Sequence, residues 1–239
     1  MFWLKRLFGQ APVTNQNRWV VLDVETSGLD PRADRLLAIA AVCIHVNDDQ
    51  SLKIDIFDSF EAVLKQDLAS DKDNILLHGI GAQAQMTGED PQEVLRNFER
   101  WVGDAPLLAF HAAFDESMIQ RAYQYQLGYK LKNAWIDVEP LVSASYPEVK
   151  ARSLDQWMGY LGIECAVRHQ AAADTFATAE LMLQIWPKLK PLAPTIDLIE
   201  KLYFEKILPI ENKENEYQKS LQNSFELKED YYAQYKCEC

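Results

Sequence analysis

The sequence is poor in features that would each indicate a particular class of protein. It has four cysteines, Cys43, Cys165, Cys237 and Cys239, and their spacing does not form the framework of a disulfide-stapled secreted domain. No apolar run approaches the roughly 20 residues that a membrane-spanning helix needs. We therefore expect reduced thiols, a cytoplasmic location and no stable membrane insertion.

Positive charge is also scarce. The 239 residues include 24 lysines and arginines against 36 aspartates and glutamates, which gives a formal net charge of -12 at pH 7. Because such a chain gains little from generic attraction to phosphates, any nucleic-acid partner has to be held by local features. Hydrophobic residues make up 48% of the chain, so a packed core is expected, and the length suits one sizeable domain with an extension.

An α/β domain is predicted for residues 18–190. Residues 18–25, 36–46 and 52–64 have the patterns of strands, and their short separations predict an antiparallel meander. Further along, short apolar segments alternate with helical patterns, including the Ala-rich amphipathic stretch 170–186. Leading strands followed by alternating helix and strand predict a sheet covered by helices.

Two terminal segments flank this domain. The N-terminal segment, residues 1–17, begins MFWLKRLF, which is compatible with contact to a membrane surface or a partner, although so short a stretch favours a docked or frayed terminus. Residues 191–239 are proline-containing at their start and polar beyond it. We expect a helical, partly mobile extension there, and it is a candidate docking element for a protein partner.

The stretch VVLDVETSGLD, residues 20–30, sets two carboxylates at the end of an apolar run. Residues two apart on a strand point to the same face, so Asp23 and Glu25 are predicted to project together. Two such charges repel each other and are costly to desolvate unless a cation lies between them. Hard divalent ions take oxygen ligands of this kind, which makes the pair a candidate metal site.

A D-x-E triplet is expected by chance in a chain this acidic, and a second one exists. Asp137 and Glu139 lie in IDVEPL, directly before Pro140. Carboxylates at a helix start interact favourably with the helix dipole without any metal. We therefore favour a helix-capping role for this second pair.

A metal site needs further ligands, and two later segments supply them. LLAFHAAFD places Asp115 just after a buried apolar segment, at a predicted strand-to-helix junction. RHQAAADTFATAELML places Asp174 in an Ala-rich helix, with His169 five residues earlier. The small residues of that helix would let it approach the sheet closely, where an acidic side chain again requires a partner.

These motifs together resemble a known family. D-x-E-T-S-G-L-D-P, H-A-A-F-D and H-Q-A-A-A-D-x-x-A-T-A, in this order over residues 23–179, are similar to the DEDDh family of 3′→5′ exonucleases. That family includes the proofreading epsilon subunit of bacterial DNA polymerase III, ribonuclease T and oligoribonuclease. The resemblance covers about residues 18–190. It implies a ribonuclease H-like fold, a mixed sheet flanked by helices, to which the helical C-terminal extension is added.

The resemblance also implies residue roles. Four carboxylates would hold two divalent cations, Mg²⁺ or Mn²⁺, and a histidine would act as the general base; these residues are Asp23, Glu25, Asp115, Asp174 and His169. Histidine exchanges protons near neutral pH, which suits that role. The implied activity is metal-dependent hydrolysis at the 3′ end of single-stranded or frayed DNA.

Substrate contacts follow from the same resemblance. Thr26 would touch the terminal nucleotide, and Leu29 and Phe114 would pack against the last bases, which is a sequence-tolerant mode of binding. For Phe114, ordinary core packing is an equal alternative. His111 could meet a phosphate, although a bond to backbone is slightly favoured.

Two positions depart from the family pattern. Ala112 stands where the family usually has Asn, and Thr175 stands where Ala is common; neither is a ligand position, so these departures bear on substrate fit and not on chemistry. The basic residues Lys150, Arg152 and Arg168 are possible phosphate contacts, but isolated basic residues are more often solvated surface.

Three other functions stay open. The chain could be a 3′→5′ exoribonuclease of the same family, because the groups that would sense a 2′-hydroxyl are backbone neighbours of Glu25 and Thr26. It could be a nuclease-derived scaffold that binds without cutting, although all five catalytic positions are filled. A purely structural protein would have to bury strand acids without a cation, which is costly.

Overall fold

The computed structural model describes residues 17–165, 167–193, 195 and 199. All but the last residue of the predicted N-terminal segment, residues 1–17, and nearly all of the predicted C-terminal extension, residues 191–239, lie outside the described residues. Within the described part of the chain, no helix is both long and apolar enough to cross a membrane.

A mixed five-stranded sheet forms the centre of the domain, in the order β3-β2-β1-β4-β5. The first three strands form the predicted antiparallel meander, and β1 also pairs in parallel with β4, which pairs in parallel with β5. The strands are β1 (Arg18–Thr26), β2 (Leu36–Val46), β3 (Leu52–Val63), β4 (Leu107–Ala109) and β5 (Trp135–Asp137).

The burial patterns explain the strand order. β1 and β2 are near-continuous apolar runs and are buried on both faces, as central strands require. β3 alternates half-buried and exposed positions and lies at the edge of the sheet. The predicted strands at 18–25, 36–46 and 52–64 are therefore confirmed to within a residue.

Helices cover both faces of the sheet. One apolar cluster packs α3 and α4 against the even-numbered side chains of β1, such as Val20 and Leu22. The other packs α5, α6 and α7 against the odd-numbered ones, Trp19 and Val21. The helices are α1 (Lys72–His78), α2 (Ala82–Met86), α3 (Pro91–Val102), α4 (Ala112–Leu127), α5 (Val138–Ser145), α6 (Leu154–Leu161) and α7 (Ala171–Leu189).

Helix starts follow their capping residues. Asp90 caps α3 by accepting bonds from two backbone N–H groups, and Ser153 caps α6 in a capping box with Gln156. α7 continues past Pro187, where the sequence pattern predicted its end. A proline is compatible with helical φ and removes only one backbone bond, so a last turn buried through Leu189 can persist.

Candidate active site

All nine predicted site residues line one cleft at the carboxyl end of β1. The starts of α4, α6 and α7 surround the same cleft, whose cavity volume is ≈ 140 Å³. A water molecule needs about 10–15 Å³ by this measure, so the lining leaves real space for a ligand. The nine residues are Asp23, Glu25, Thr26, Leu29, His111, Phe114, Asp115, His169 and Asp174.

Asp23 and Glu25 lie on the same side of the central strand. They continue the row of Trp19 and Val21, which packs into the core on the α7 side of the sheet. Both acids are partly exposed where that row passes beyond the core into the cleft. The period-two prediction for this pair is therefore confirmed.

Asp115 reaches the cleft from the opposite face of the sheet. β4 pairs with β1 only at Val20 and Val21, so β1 extends beyond its partner and leaves the backbone N–H of Val24 on an open edge. Asp115, in the first turn of α4, accepts that N–H through Oδ1 at 3.1 Å. This bond fixes a buried carboxylate beside the end of β1.

Asp174 lies in the first turn of α7 and is buried. Its Oδ2 accepts the backbone N–H of His169 at 3.2 Å, and its Oδ1 accepts a short bond from the Arg168 guanidinium. A carboxylate in the first turn of a helix is favoured by the helix dipole. Asp115 and Asp174 therefore share one device, an acid held near the N-terminus of a helix that points into the cleft.

Each of these two helices is preceded by a histidine with left-handed backbone. His111 has φ 60 and caps α4, and His169 has φ 59 one residue before the N-cap of α7. Such conformations are uncommon for residues other than glycine and cluster at functional sites. The turn at each histidine aims the acid that follows it toward the cleft.

Asp137 stabilises the first of these turns. Its Oδ1 accepts the backbone N–H of His111 at 2.9 Å and that of Glu139 at 3.1 Å, and it is the N-cap of α5. Burial raises the pKa of this carboxyl to about 7. The helix-capping interpretation of Asp137 and Glu139 is confirmed.

The predicted substrate contacts all border the cleft, but they differ in how far contacts within the protein already occupy them. The Thr26 hydroxyl donates to the carbonyl of Gly28 at 2.6 Å, inside the turn that follows β1. Phe114 is 1% exposed and belongs to the core on the α4 side, so core packing accounts for most of its ring. Leu29 packs partly against the same core.

A buried hydrogen-bond chain from α1 ends at Thr26, and no sequence pattern predicted it. Asn74 Nδ2 donates to the Thr26 carbonyl at 2.9 Å, and Asn74 Oδ1 is 2.8 Å from His78 Nε2. Because Nδ1 of His78 accepts the backbone N–H of Ile80 at 2.9 Å, Nε2 carries the proton. These bonds give His78 a structural role, and the chain that they form reaches the cleft wall.

Further cleft residues were not predicted. Leu77 and Phe110 add apolar surface, and Asp155, at the start of α6, adds a fifth carboxylate. Arg168 lines the cleft as well, whereas Lys150 and Arg152 do not. Arg168, in a loop, pairs with Asp155, which lies in α6 13 residues earlier. No sequence periodicity predicts this pair.

The donor set of the cleft bears on the cations that the family resemblance implies. Carboxylate oxygens on one cleft fit hard divalent ions such as Mg²⁺ and Mn²⁺. As the side chains are placed, no group of three or more His, Cys, Asp or Glu residues in the described ranges is arranged to hold a metal ion. Asp115 is bonded to backbone and Asp174 to Arg168. The carboxylate set therefore fits such ions in kind, although Asp174 Oδ1 is already bonded to Arg168.

Structures of E. coli exonuclease I are similar to this fold. The zinc-bound complex of E. coli exonuclease I with single-stranded DNA aligns with a TM-score of 0.62 and 19% identity, covering 79% of this chain and 43% of the other. E. coli exonuclease I with a dT13 oligonucleotide gives a TM-score of 0.61 and 20% identity, covering 79% and 44%. At such identity the likeness establishes the fold, which confirms the predicted ribonuclease H-like sheet flanked by helices.

Sequence comparison gives the family. Residues 20–182 match the RNase T exonuclease family, and the chain belongs to it, as the motifs predicted. The DNA polymerase III PolC-type protein of Bacillus subtilis (strain 168) is 34% identical over 171 residues, 71% of this chain and 11% of that protein. The PolC-type protein of Staphylococcus aureus is 30% identical over 184 residues, 77% and 12%. The chain thus spans about a tenth of these relatives' length.

Proposed function

We propose that this protein is a metal-dependent 3′→5′ exonuclease that removes nucleoside monophosphates from single-stranded or frayed DNA. The observation that carries the proposal is the meeting of four carboxylates and a histidine at the open end of the central strand; they are Asp23, Glu25, Asp115, Asp174 and His169. The relatives named for DNA polymerase III and the neighbours bound to single-stranded DNA support DNA as the substrate.

The chain's residues have separate tasks in this mechanism. The four carboxylates would hold two divalent cations, which supply charge stabilisation at the phosphate and acidify a bound water. His169 accepts the proton of the attacking water as a neutral imidazole. The left-handed turn at His169 and its backbone bond to Asp174 keep base and acid in a fixed relation.

The terminal nucleotide would lie along the cleft wall. Leu29, Leu77 and Phe110 offer apolar surface for bases, and the turn at Thr26 offers backbone groups for the sugar. Apolar contacts to base faces do not read sequence, so we expect little sequence preference.

Charge limits how the enzyme engages a long strand. Five carboxylates and one guanidinium are among the cleft residues, and the whole chain carries -12. Bound cations would offset most of the cleft charge, but the rest of the protein gives no general attraction for the strand. We therefore propose distributive trimming, or delivery of the substrate by a protein partner that docks through residues 191–239. A cytoplasmic location is part of the same proposal.

The direct test uses end-labelled oligonucleotides. Single-stranded DNA and RNA, labelled at either end, are incubated with Mg²⁺ or Mn²⁺, with and without EDTA. We expect metal-dependent release of mononucleotides from the 3′ end, loss of activity in Asp23→Asn, and normal activity in Asp48→Asn, which changes an exposed acid in the β2–β3 turn. Preference for RNA would make the chain an exoribonuclease, and absence of cleavage would make it a scaffold.

A further inference from the structure

Arg168 bridges two acids across the cleft. Its Nε donates to Asp155 Oδ1 at 2.6 Å and its Nη2 to Asp155 Oδ2 at 3.3 Å, a two-pronged contact. Its Nη1 donates to Asp174 Oδ1. The arginine side chain is 20% exposed and that of Asp174 10%, so the pair on this side is largely withdrawn from water.

This arrangement leaves Asp174 engaged at both oxygens. Oδ1 meets Arg168, and Oδ2 meets the backbone N–H of His169. A divalent cation on Asp174 would compete with the guanidinium for Oδ1, and the two positive groups would repel each other at contact distance. Binding the cation and keeping this ion pair are therefore opposed.

We propose that Arg168 is a displaceable internal counter-ion of Asp174. It pairs with this carboxylate while the cleft is free of metal, and a divalent cation has to displace it. The inference rests on the proposed function, because it takes Asp174 as a metal ligand. Arg168 is thus a positioning residue that sets the metal affinity of the site.

Asp155 allows Arg168 to leave Asp174 by a small movement. The guanidinium holds Asp155 with Nε and Nη2 and Asp174 with Nη1 alone. If the guanidinium rotates about its contact with Asp155, the bond to Asp174 breaks while the arginine keeps Asp155 as a partner. A buried carboxylate left without a counter-charge is strongly destabilising. Arg168 supplies that charge to Asp174 in the metal-free protein, and the cation supplies it after the exchange.

The test measures binding of Mn²⁺ alone to the full chain by calorimetry. Arg168→Gln should bind Mn²⁺ about tenfold more tightly than the unchanged protein. An ion pair of this burial should have an interaction free energy between those of exposed and of buried pairs, and the cation no longer has to break it. Arg168→Lys, which keeps the charge, should stay near the unchanged protein. Arg152→Gln removes an exposed charge nearby and should have no effect beyond experimental error. In EDTA, Arg168→Gln should melt earlier, and saturating Mn²⁺ should remove that difference.

Contrary outcomes separate the two claims. If the unchanged protein binds Mn²⁺ and Arg168→Gln binds it equally or more weakly, Arg168 is only structural, and the proposed function stands. If the unchanged protein does not bind Mn²⁺, the proposed function fails and the inference with it.

Should Arg168→Gln fail to fold, nuclear magnetic resonance of the unchanged protein decides the inference. Addition of Mg²⁺ should shift the Arg168 Nη signals and speed their exchange, while Nε–H stays protected by Asp155. Nη signals that do not respond to bound Mg²⁺ would overturn the inference.

Discussion

The neutral, buried His78 makes the stability of the domain depend on pH. The residue is 3% exposed, Nδ1 accepts the N–H of Ile80, and Nε2–H donates to Asn74. A proton added at Nδ1 would oppose the Ile80 N–H and place a charge in the core. Burial accordingly lowers the pKa of His78 to about 4.

The size and sign of the effect follow from linkage. An unfolded histidine takes up its proton near 6.5 and the folded one near about 4. Between these values the unfolded chain binds more protons, so the free energy of unfolding falls as pH falls. At about 1.4 kcal/mol per pH unit the full effect is about 3 kcal/mol, of which about 2 kcal/mol is lost by about pH 5.

The assay is urea unfolding of the unchanged protein and His78→Gln at several pH values from neutral to about pH 5. Other groups titrate in this window: the raised pKa of Asp137, about 7, makes its contribution run in the opposite direction. The difference between the two proteins cancels these shared contributions. The stability advantage of the unchanged protein should shrink by about 2 kcal/mol over this range. A difference that stays constant with pH would contradict the assignment of this effect to His78.

Three further predictions concern other parts of the fold and site. His169→Ala should lower the turnover rate at least about 10²-fold while Mn²⁺ binding is retained, and near-normal turnover would contradict its role as general base. Thr175→Val removes the hydroxyl that donates to the Ala40 carbonyl at 3.1 Å while keeping the side-chain volume, and it should cost about 1 kcal/mol in urea unfolding; unchanged stability would contradict a contribution from this bond. Gly88→Ala would place a methyl 2.6 Å from a backbone oxygen and should destabilise the protein by about 1–3 kcal/mol. Gly159→Ala, in α6, would place a methyl with nothing within 4 Å and should stabilise the protein by about 0.5–1 kcal/mol. Equal effects of the two changes would contradict the packing argument.

Local sequence patterns were sufficient to predict most strands of the sheet and the residues that line the cleft together. The pairing of Asp23 with Glu25 follows from the two-residue period of a strand, and Asp115 and Asp174 follow strand-to-helix and turn-to-helix junctions that sequence can mark. These features depend on neighbours along the chain. The alternation in 52–64 likewise predicted a strand, and its position at the edge of the sheet is seen only in the fold.

Other features depend on contacts between distant parts of the chain. The short helices at Lys72–His78 and Ala82–Met86 have too few turns to show a period, and tertiary bonds such as Asn74 to Thr26 hold the first of them in place. The bond from Arg168 to Asp155 was not predicted either, because both residues look like ordinary solvated charges in the sequence. Thr175, noted as a departure from the family pattern, ties α7 to β2.

The most direct test of the whole account is the anomalous scattering of crystals soaked with Mn²⁺. We expect manganese peaks in the cleft within coordination distance of carboxylate oxygens of Asp23, Glu25, Asp115 and Asp174. A soaked crystal with manganese elsewhere, or with no peak among these four side chains, would contradict it.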